Sequence, residues 1–157
     1  MVRRPGSRLS ILFELYAAEQ QIRSLVATAM VHSPLSPEEY AVYSVLFDEG
    51  PHAPTGLARR TGMPPTSMSH FVRAMFERGH AERAAAPDDR RSYRIVLTTT
   101  GLAAHAAASQ AFAEADSRFV GALAVDEEEA RATLRAIGRA AGVAETRLTA
   151  DSVDAAS

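Results

Sequence analysis

The chain contains no cysteine, no tryptophan and no lysine among its 157 residues. Without cysteine it can form neither a disulfide nor a thiolate zinc site, and it cannot sense oxidants through its own thiol. The absence of lysine excludes P-loop phosphate binding and Schiff-base chemistry. No apolar run approaches the ~18 residues of a membrane span, and the N-terminal residues lack the apolar core of a signal peptide. We therefore expect a cytoplasmic protein without a membrane partner.

Charge is distributed unevenly along the chain. Arginine supplies all 17 basic residues, against 19 acidic ones, for a net charge of −2. Residues 55–94 carry +4, whereas residues 31–54 and 95–157 each carry −4. A basic middle segment favours contact with nucleic acid, although a solvated charged surface would have the same composition.

Apolar periodicity predicts a mainly α fold. A first helix is expected at about 8–31, with a stripe that steps by four and three residues: Ile11, Leu15, Ala18, Ile22, Leu25 and Ala29. The sequence Ser36-Pro37-Glu38-Glu39 is typical of a capping box and predicts a helix from Pro37 to about Glu49. A short helix with Leu57 and Ala58 inward should precede Gly62, and another should run from Pro65 to Gly79.

Residues 81–98 lack helical periodicity. Tyr93, Ile95 and Leu97 alternate with Arg94 and Val96, as in a β-strand, and a polar Pro-Asp-Asp-Arg-Arg turn precedes them, so the segment predicts a β-hairpin with a polar tip. Thr98 or Thr100 should cap a helix that starts near Gly101. Its predicted inner face is Leu102, Ala106, Ser109, Phe112, Phe119 and Leu123. A last helix should begin at Asp126 and end at Gly142, with Ala130, Leu134, Ile137 and Ala141 inward, and be followed by a frayed tail at 143–157.

The helix that starts at Pro65 has two chemically different faces. At about 100° per residue, one face is apolar, with Met68, Val72 and Met75 among its members. The polar face carries hydroxyl, imidazole and guanidinium groups, which can donate to base edges or phosphates in a major groove. Its candidate DNA-binding residues are Thr66, Ser67, Ser69, His70 and Arg73. An ordinary solvated helix is the alternative, and Glu77 on the same face favours it.

The hairpin supplies a second set of candidate DNA contacts. Asp89, Arg90 and Arg91 lie at its expected tip, where arginine suits the strong negative potential of a narrow minor groove. Arg83 and Arg94, lower on the hairpin, would reach phosphates. A solvated turn would have a similar composition.

Residues 35–102 resemble the MarR family of bacterial transcriptional regulators. The resemblance rests on "LSPEEYAVYSVL", "TGLARRTGMPPTSMSHFVRAMFERGHAER" and "PDDRRSYRIVLTTTG". Asp89 and Arg91 match the wing motif of the family, and Leu97-Thr98 with Gly101 matches the signature after the second wing strand. Arg73 stands where the family more often has an acid, so the bases contacted should differ.

The resemblance implies a homodimer in which each subunit carries a winged helix-turn-helix. Such a dimer would bind double-stranded DNA at a pseudo-palindromic operator. Residues 35–100 would form the DNA-binding region. Residues 1–34 and 101–142 would supply the dimerisation helices. The dimer contacts expected from their stripes are Ile11, Leu15, Ile22, Leu25, Leu134 and Ile137.

Many members of that family bind small phenolic or lipophilic effectors in a crevice beside the winged helix. The candidates to line such a crevice in this chain are Tyr16, His32, Tyr40 and Tyr43. Aromatic residues at helical spacing more often complete a core, and that alternative stays open. The five histidines show no metal-ligand spacing. No cofactor and no metal are expected.

We therefore predict a DNA-binding transcriptional regulator, a homodimeric repressor whose affinity for DNA responds to an effector. An enzyme is disfavoured because the sequence contains no G-x-S-x-G, H-E-x-x-H, G-x-G-x-x-G or P-loop motif. A winged-helix module that binds another protein stays open as the alternative, since the overall acidity weakens attraction to DNA.

Overall fold

The structure, a computed structural model, describes residues 10–85 and 93–154. The helices and strands follow the order α1 Ile11–Ala29, α2 Pro37–Glu49, α3 Pro54–Thr61, α4 Pro65–Glu77, β1 Ala81–Ala85, β2 Tyr93–Leu97, α5 Thr99–Ala122 and α6 Glu127–Asp154. The predicted fold class, mainly α with one β-hairpin wing, is confirmed. None of these helices combines the length and the hydropathy that a membrane crossing requires.

Two compact units divide the chain, residues 1–115 and residues 116–157. The first contains α1 to α4, the hairpin and most of α5. Its core is built where α2, α3 and α4 meet the hairpin. Its largest members with almost no exposed surface are Tyr43, Leu35, Leu57, Met68, Met75, Ile95 and Val42. Burial of such side chains stabilises a fold by about 2 kcal/mol each.

The predicted start of α2 is confirmed in atomic detail. Ser36 Oγ accepts a hydrogen bond from the Glu39 backbone N–H at 3.2 Å, and Glu39 Oε2 accepts one from the Ser36 N–H at 2.9 Å. This reciprocal capping box satisfies two N–H groups that a helix start otherwise leaves without partners. Gly50 follows Glu49 with φ of +79°, which ends the helix where the sequence predicted.

The hairpin pairs β1 with β2 in antiparallel register, with Arg83 opposite Ile95. A third segment joins it. His52, in the loop before α3, exchanges backbone hydrogen bonds with Ile95, so the wing is attached to the α2–α3 loop. The sequence did not predict this pairing, because a single bridging residue has no alternation that could indicate a strand.

One sequence prediction about the C-terminal helices is wrong in part, and another is wrong. The buried residues of α5 are Gly101, His105, Ala108 and Ala115, whereas the predicted Leu102, Ala106 and Phe119 are exposed. The predicted Phe112 does pack against the core, and Ser109 and Leu123 are half-buried. The prediction followed the large side chains, but small residues allow α5 to approach its neighbours closely. Also, α6 does not end at Gly142 but continues to Asp154. A glycine inside an exposed helix costs only about 1 kcal/mol, and the alanine, glutamate, arginine and leucine that follow favour helix.

Candidate nucleic-acid interface

Helix α4 is anchored to the core by one face and exposes the other. Pro65 occupies its first turn, where a missing N–H costs nothing, and Met68, Val72 and Met75 are buried at a spacing of three to four residues. Gly79, with φ of +67°, follows the helix end at Arg78. The two-faced helix predicted from the sequence is therefore present with its apolar side inward.

The polar face of α4 is exposed at four of the five candidate positions. Thr66, Ser69, His70 and Arg73 face solvent, whereas Ser67 is half-buried. The Ser69 hydroxyl donates to the Pro65 carbonyl at 2.9 Å. Arg73 Nη2 donates to His70 Nδ1 at 3.4 Å, and Arg73 Nε lies 3.6 Å from Glu77 Oε1. The two contacts of Arg73 are long and exposed, and therefore weak, so its guanidinium can turn toward another acceptor.

The two arginines of the hairpin strands are placed differently. The guanidinium of Arg83 lies over the Tyr93 ring at 4.6 Å and near the Phe76 ring at 5.3 Å, a cation–π arrangement. Arg94 is exposed and donates weakly to the Pro51 carbonyl at 3.4 Å. Arg94 is therefore freer than Arg83 to reach a phosphate. The candidate tip residues Asp89, Arg90 and Arg91 lie outside the described residues.

An ion pair joins α2 to the end of α4. Arg78 donates to Glu39 Oε1, and the Glu39 side chain is 18% exposed whereas that of Arg78 is 35% exposed. Burial would raise the pKa of Glu39, but the hydrogen bonds from Ser36 and Arg78 outweigh it and leave that pKa below its ordinary value. The sequence predicted Glu39 as a helix cap and did not predict this pairing, because Arg78 is 39 residues away.

A polar cluster fixes the base of the wing. The Tyr43 hydroxyl and His80 Nδ1 are hydrogen-bonded at 3.0 Å. The hydroxyls of Thr98 and Thr100 both donate to the Gly79 carbonyl at 2.7 Å, and Thr98 Oγ1 also accepts from the Gly101 N–H. The predicted cap of α5 by Thr98 is confirmed. These bonds join the end of α4, the end of β2 and the start of α5.

A cleft of about 620 Å³ opens beside the first turn of α4. Its walls are Met63, Pro64, Thr66, Ser67, His70 and Phe71 from the α3–α4 segment, with Arg23 and Glu38 from α1 and α2. Arg23 lies 2.6 Å from Glu19 and 2.9 Å from Glu38, so its charge is already compensated. Three of the candidate DNA-binding residues therefore also line a concave surface, which the sequence did not predict.

The four aromatic candidates for an effector crevice lie in different surroundings. Tyr16 and His32 are exposed, and Tyr43 is buried in the core. The Tyr40 ring stacks on the His105 ring with the two centroids 5.3 Å apart, and its centroid lies 4.9 Å from that of the Phe112 ring. The His105 ring also stacks on Phe47, with the ring centroids 4.6 Å apart, and its Nε2 is hydrogen-bonded to Ser44 Oγ. Burial lowers the pKa of His105, which the charge of Asp48 offsets only in part.

The described residues contain no cluster of three histidine, aspartate or glutamate side chains that could hold a metal ion. The polar groups that the described residues expose on α4 and the wing are mainly hydrogen-bond donors. None of these described groups combines a nucleophile with a neighbouring general base in the way that nucleophilic catalysis requires. The chemistry that such a surface supports is recognition of acceptors, above all the oxygens and nitrogens of DNA.

Comparison with solved structures confirms the fold. A probable transcriptional regulator from Pseudomonas aeruginosa is 29% identical, covers 81% of this chain and 95% of its own, and has a TM-score of 0.68. The regulator MosR of M. tuberculosis, solved in complex with DNA, is 21% identical over 87% of this chain and 98% of its own, with a TM-score of 0.73. No family model and no curated protein matches the sequence.

PcaV of Streptomyces coelicolor, solved with its natural ligand, is 23% identical over 90% of this chain and 99% of its own, with a TM-score of 0.69. MarR of E. coli is a further structural neighbour. These neighbours are transcriptional regulators of the MarR type, so the resemblance to the MarR family is confirmed in the fold.

Proposed function

We propose that this protein is a sequence-specific DNA-binding transcriptional regulator. One observation carries the proposal: α4 buries its apolar face and exposes Thr66, Ser69, His70 and Arg73 together on the other. A helix with short donors near its N-terminus can enter a major groove without steric conflict. The 29%-identical neighbour from Pseudomonas aeruginosa, itself a probable transcriptional regulator, supports the same function.

The wing supplies the second part of the interface. Arg94 is exposed beside the strand pairing, where it can neutralise a phosphate, and the resemblance assigns Arg90 and Arg91, supported by Asp89, to the minor groove. Residues 35–100 then act as the DNA-binding region.

A homodimer is part of the proposal. In α1, Ile11 is 69% exposed and Ile22 is 44% exposed, although both belong to a regular apolar stripe. Leu134 on α6 is 60% exposed. Monomeric proteins rarely expose apolar side chains in such continuous rows, so a partner subunit is the simplest cover for residues 1–34 and 101–142. Two recognition helices would then read a pseudo-palindromic operator.

We further propose that the protein is a cytoplasmic repressor released by a small effector. The cleft beside α4 shares Thr66, Ser67 and His70 with the DNA-binding face. A flat apolar or phenolic molecule against Met63, Pro64 and Phe71 would therefore compete with DNA for the same side chains. The neighbour PcaV, solved with a natural ligand, supports regulation of this kind.

The experiment is selection of bound sequences from random duplex DNA, followed by titration of the enriched sequence at two salt concentrations. An inverted repeat with a steep salt slope is expected, because neutralised phosphates release counterions. The matched control is the double variant His70→Ala/Arg73→Ala, which should lose the enrichment. Weak binding without enrichment would contradict the proposal and favour a protein-binding module.

A further inference from the structure

The Arg83 side chain lies on the face of the hairpin that is turned toward the core. In the strand pairing Arg83 stands opposite Ile95, which is fully buried. Side chains alternate between the two faces of a strand, so Arg94, which pairs with Ala84, belongs to the opposite face. The two arginines therefore leave the hairpin on opposite sides, and Arg83 is the one that contacts α4, at Phe76.

Two aromatic rings contact the guanidinium of Arg83. Its carbon Cζ lies 4.6 Å from the centroid of the Tyr93 ring and 5.3 Å from the centroid of the Phe76 ring. Both rings are half-buried and pack against the core, and their centroids are 6.3 Å apart. The negative face of an aromatic ring attracts a guanidinium, whose planar shape suits the contact. Within residues 10–85 and 93–154, Arg83 takes part in no ion pair that would hold it elsewhere.

Arg83 is the one long side chain that β1 directs inward. The inward-facing residues of β1 are Ala81, Arg83 and Ala85, of which Ala81 is buried and Ala85 is exposed. Contact between the outer part of β1 and α4 therefore depends on the guanidinium and on Phe76, near the end of α4. Because Arg83 is itself exposed, its loss would leave the core intact but let the hairpin change its angle to α4.

The angle between the hairpin and α4 matters for DNA binding because both must fit one stiff duplex. In the proposed function α4 reads bases while Arg94 neutralises a phosphate of the same duplex. A hairpin that already has the right angle makes its contact without an ordering cost. A hairpin free to move would lose conformational entropy on binding, so affinity would fall although no contact with DNA had been removed.

We infer that Arg83 is a positioning residue for DNA binding: its guanidinium, through the rings of Phe76 and Tyr93, fixes the angle between the hairpin and α4. Arg94 then contributes its charge to a phosphate, whereas Arg83 contributes rigidity and not the phosphate contact expected from the sequence. The inference rests on the proposed function and deepens it, because it gives the two arginines of the hairpin strands different roles.

Titration of full-length variants with the selected operator tests this role. Arg83→Met keeps a long side chain but removes the guanidinium, and should weaken binding about fivefold. Phe76→Leu/Tyr93→Leu leaves Arg83 in place, removes both rings and should weaken binding to a similar extent. The triple variant should bind no more weakly than either, because the three residues form one contact. Arg135→Met, which removes an exposed charge from α6, is the control and should bind like the natural chain.

The same titrations distinguish positioning from a phosphate contact. If Arg83→Met weakens binding but the loss of both rings does not, Arg83 contacts DNA itself and the inference is wrong. Additive effects of the two changes, or no effect of Arg83→Met, would overturn it as well. If the natural chain selects no operator at all, the proposed function fails first, and the inference fails with it.

Arg94→Ala measures how far the phosphate contact depends on Arg83. In the natural chain this change removes the contact of a correctly placed arginine. In the Arg83→Met background it should cost less affinity, because the hairpin no longer holds Arg94 at the phosphate. Equal costs in the two backgrounds would show that Arg94 finds its phosphate without Arg83, which contradicts the inference.

Nuclear magnetic resonance tests the contact itself in the absence of DNA. Ring currents shift protons above an aromatic face upfield, so the side-chain protons of Arg83 should be shifted upfield in the natural chain and return to ordinary values in Phe76→Leu/Tyr93→Leu. Should that variant not fold, Tyr93→Leu alone provides the same comparisons with smaller effects, because Phe76 remains in place. Ordinary shifts for Arg83 in the natural chain would overturn the inference, whatever the affinities.

Discussion

The carbonyl oxygen of His80 lies so close to Gly101 that a side chain at position 101 would overlap it. The same oxygen accepts a hydrogen bond from the Thr98 N–H at 3.0 Å, so it cannot turn away without breaking the connection between β2 and the end of α4. The backbone of α5 therefore touches the base of the wing at this point. Only glycine permits such an approach of two backbones.

Gly101→Ala should destabilise the fold by about 3 kcal/mol, because overlap with a fixed backbone atom forces a shift of helix or hairpin. The measurement is urea unfolding monitored by circular dichroism. Gly121→Ala is the matched control in the same helix, since no atom lies within 4 Å of its added methyl group. Alanine there should leave stability unchanged or raise it by up to about 1 kcal/mol. Equal stability of the two variants would contradict the close contact at His80.

Glu39→Gln should lower the free energy of unfolding by about 1 kcal/mol at pH 7. Glutamine preserves the capping box with Ser36, so the loss isolates the charge that pairs with Arg78. Because the pKa of Glu39 in the folded protein is below its ordinary value of 4.5, this contribution is present above that pH and is lost as the pH falls through the folded pKa.

The control for this variant is Glu128→Gln, whose carboxylate pairs with Arg135 but is 74% exposed. Exposed pairs contribute little, so the control should change stability by less than about 0.5 kcal/mol. Urea titrations of both variants at pH 7 and pH 4 provide the comparison. A Glu39→Gln protein as stable as the natural chain at pH 7 would show that the ion pair does not stabilise the fold.

The sequence predicted the local features and missed those that join distant residues. Ser36 and Glu39 are three residues apart and carry the signal of a capping box, and the two faces of α4 follow from periodicity alone. The pairing of Glu39 with Arg78, the bridge of His52 to Ile95 and the stack of Phe47 on His105 link parts of the chain that no short pattern connects. Small residues explain the error in α5, since Gly101 and Ala108 pack closely but give no strong apolar signal.

Two single variants should separate base recognition from phosphate contact. His70→Ala removes a donor from the exposed face of α4 and should change the preferred bases while the salt slope stays the same. Arg94→Ala removes one exposed charge from β2 and should weaken binding to all sequences alike, with a salt slope smaller by about one. Titrations of an operator and two mismatched duplexes at several salt concentrations measure both effects. If His70→Ala weakened all duplexes equally, the proposed orientation of α4 in the groove would be wrong.

His105 should make the stability of the protein depend on pH just below neutrality. Its ring stacks on those of Tyr40 and Phe47, and burial lowers its pKa from the ordinary value of 6.5. The unfolded chain therefore takes up a proton at a higher pH than the folded protein does. Stability falls as the pH drops below about 6.5 and stops falling once the pH passes the lower, folded pKa. The charge of Asp48, on α2, raises the pKa of His105 but does not offset the effect of burial.

Urea unfolding at pH 7.5 and pH 5.5 measures this contribution when the natural chain is compared with His105→Gln. The variant removes the titrating ring, so its free energy of unfolding should fall less between the two pH values, even though loss of the stack lowers its stability at both. Each protein shows some fall in its free energy of unfolding between the two pH values, because both share the other titratable groups. The contribution of His105 is the difference between these two falls. An equal fall in both proteins would mean that His105 takes up its proton equally readily in the folded and unfolded states, and that the aromatic stack does not exclude the charged ring.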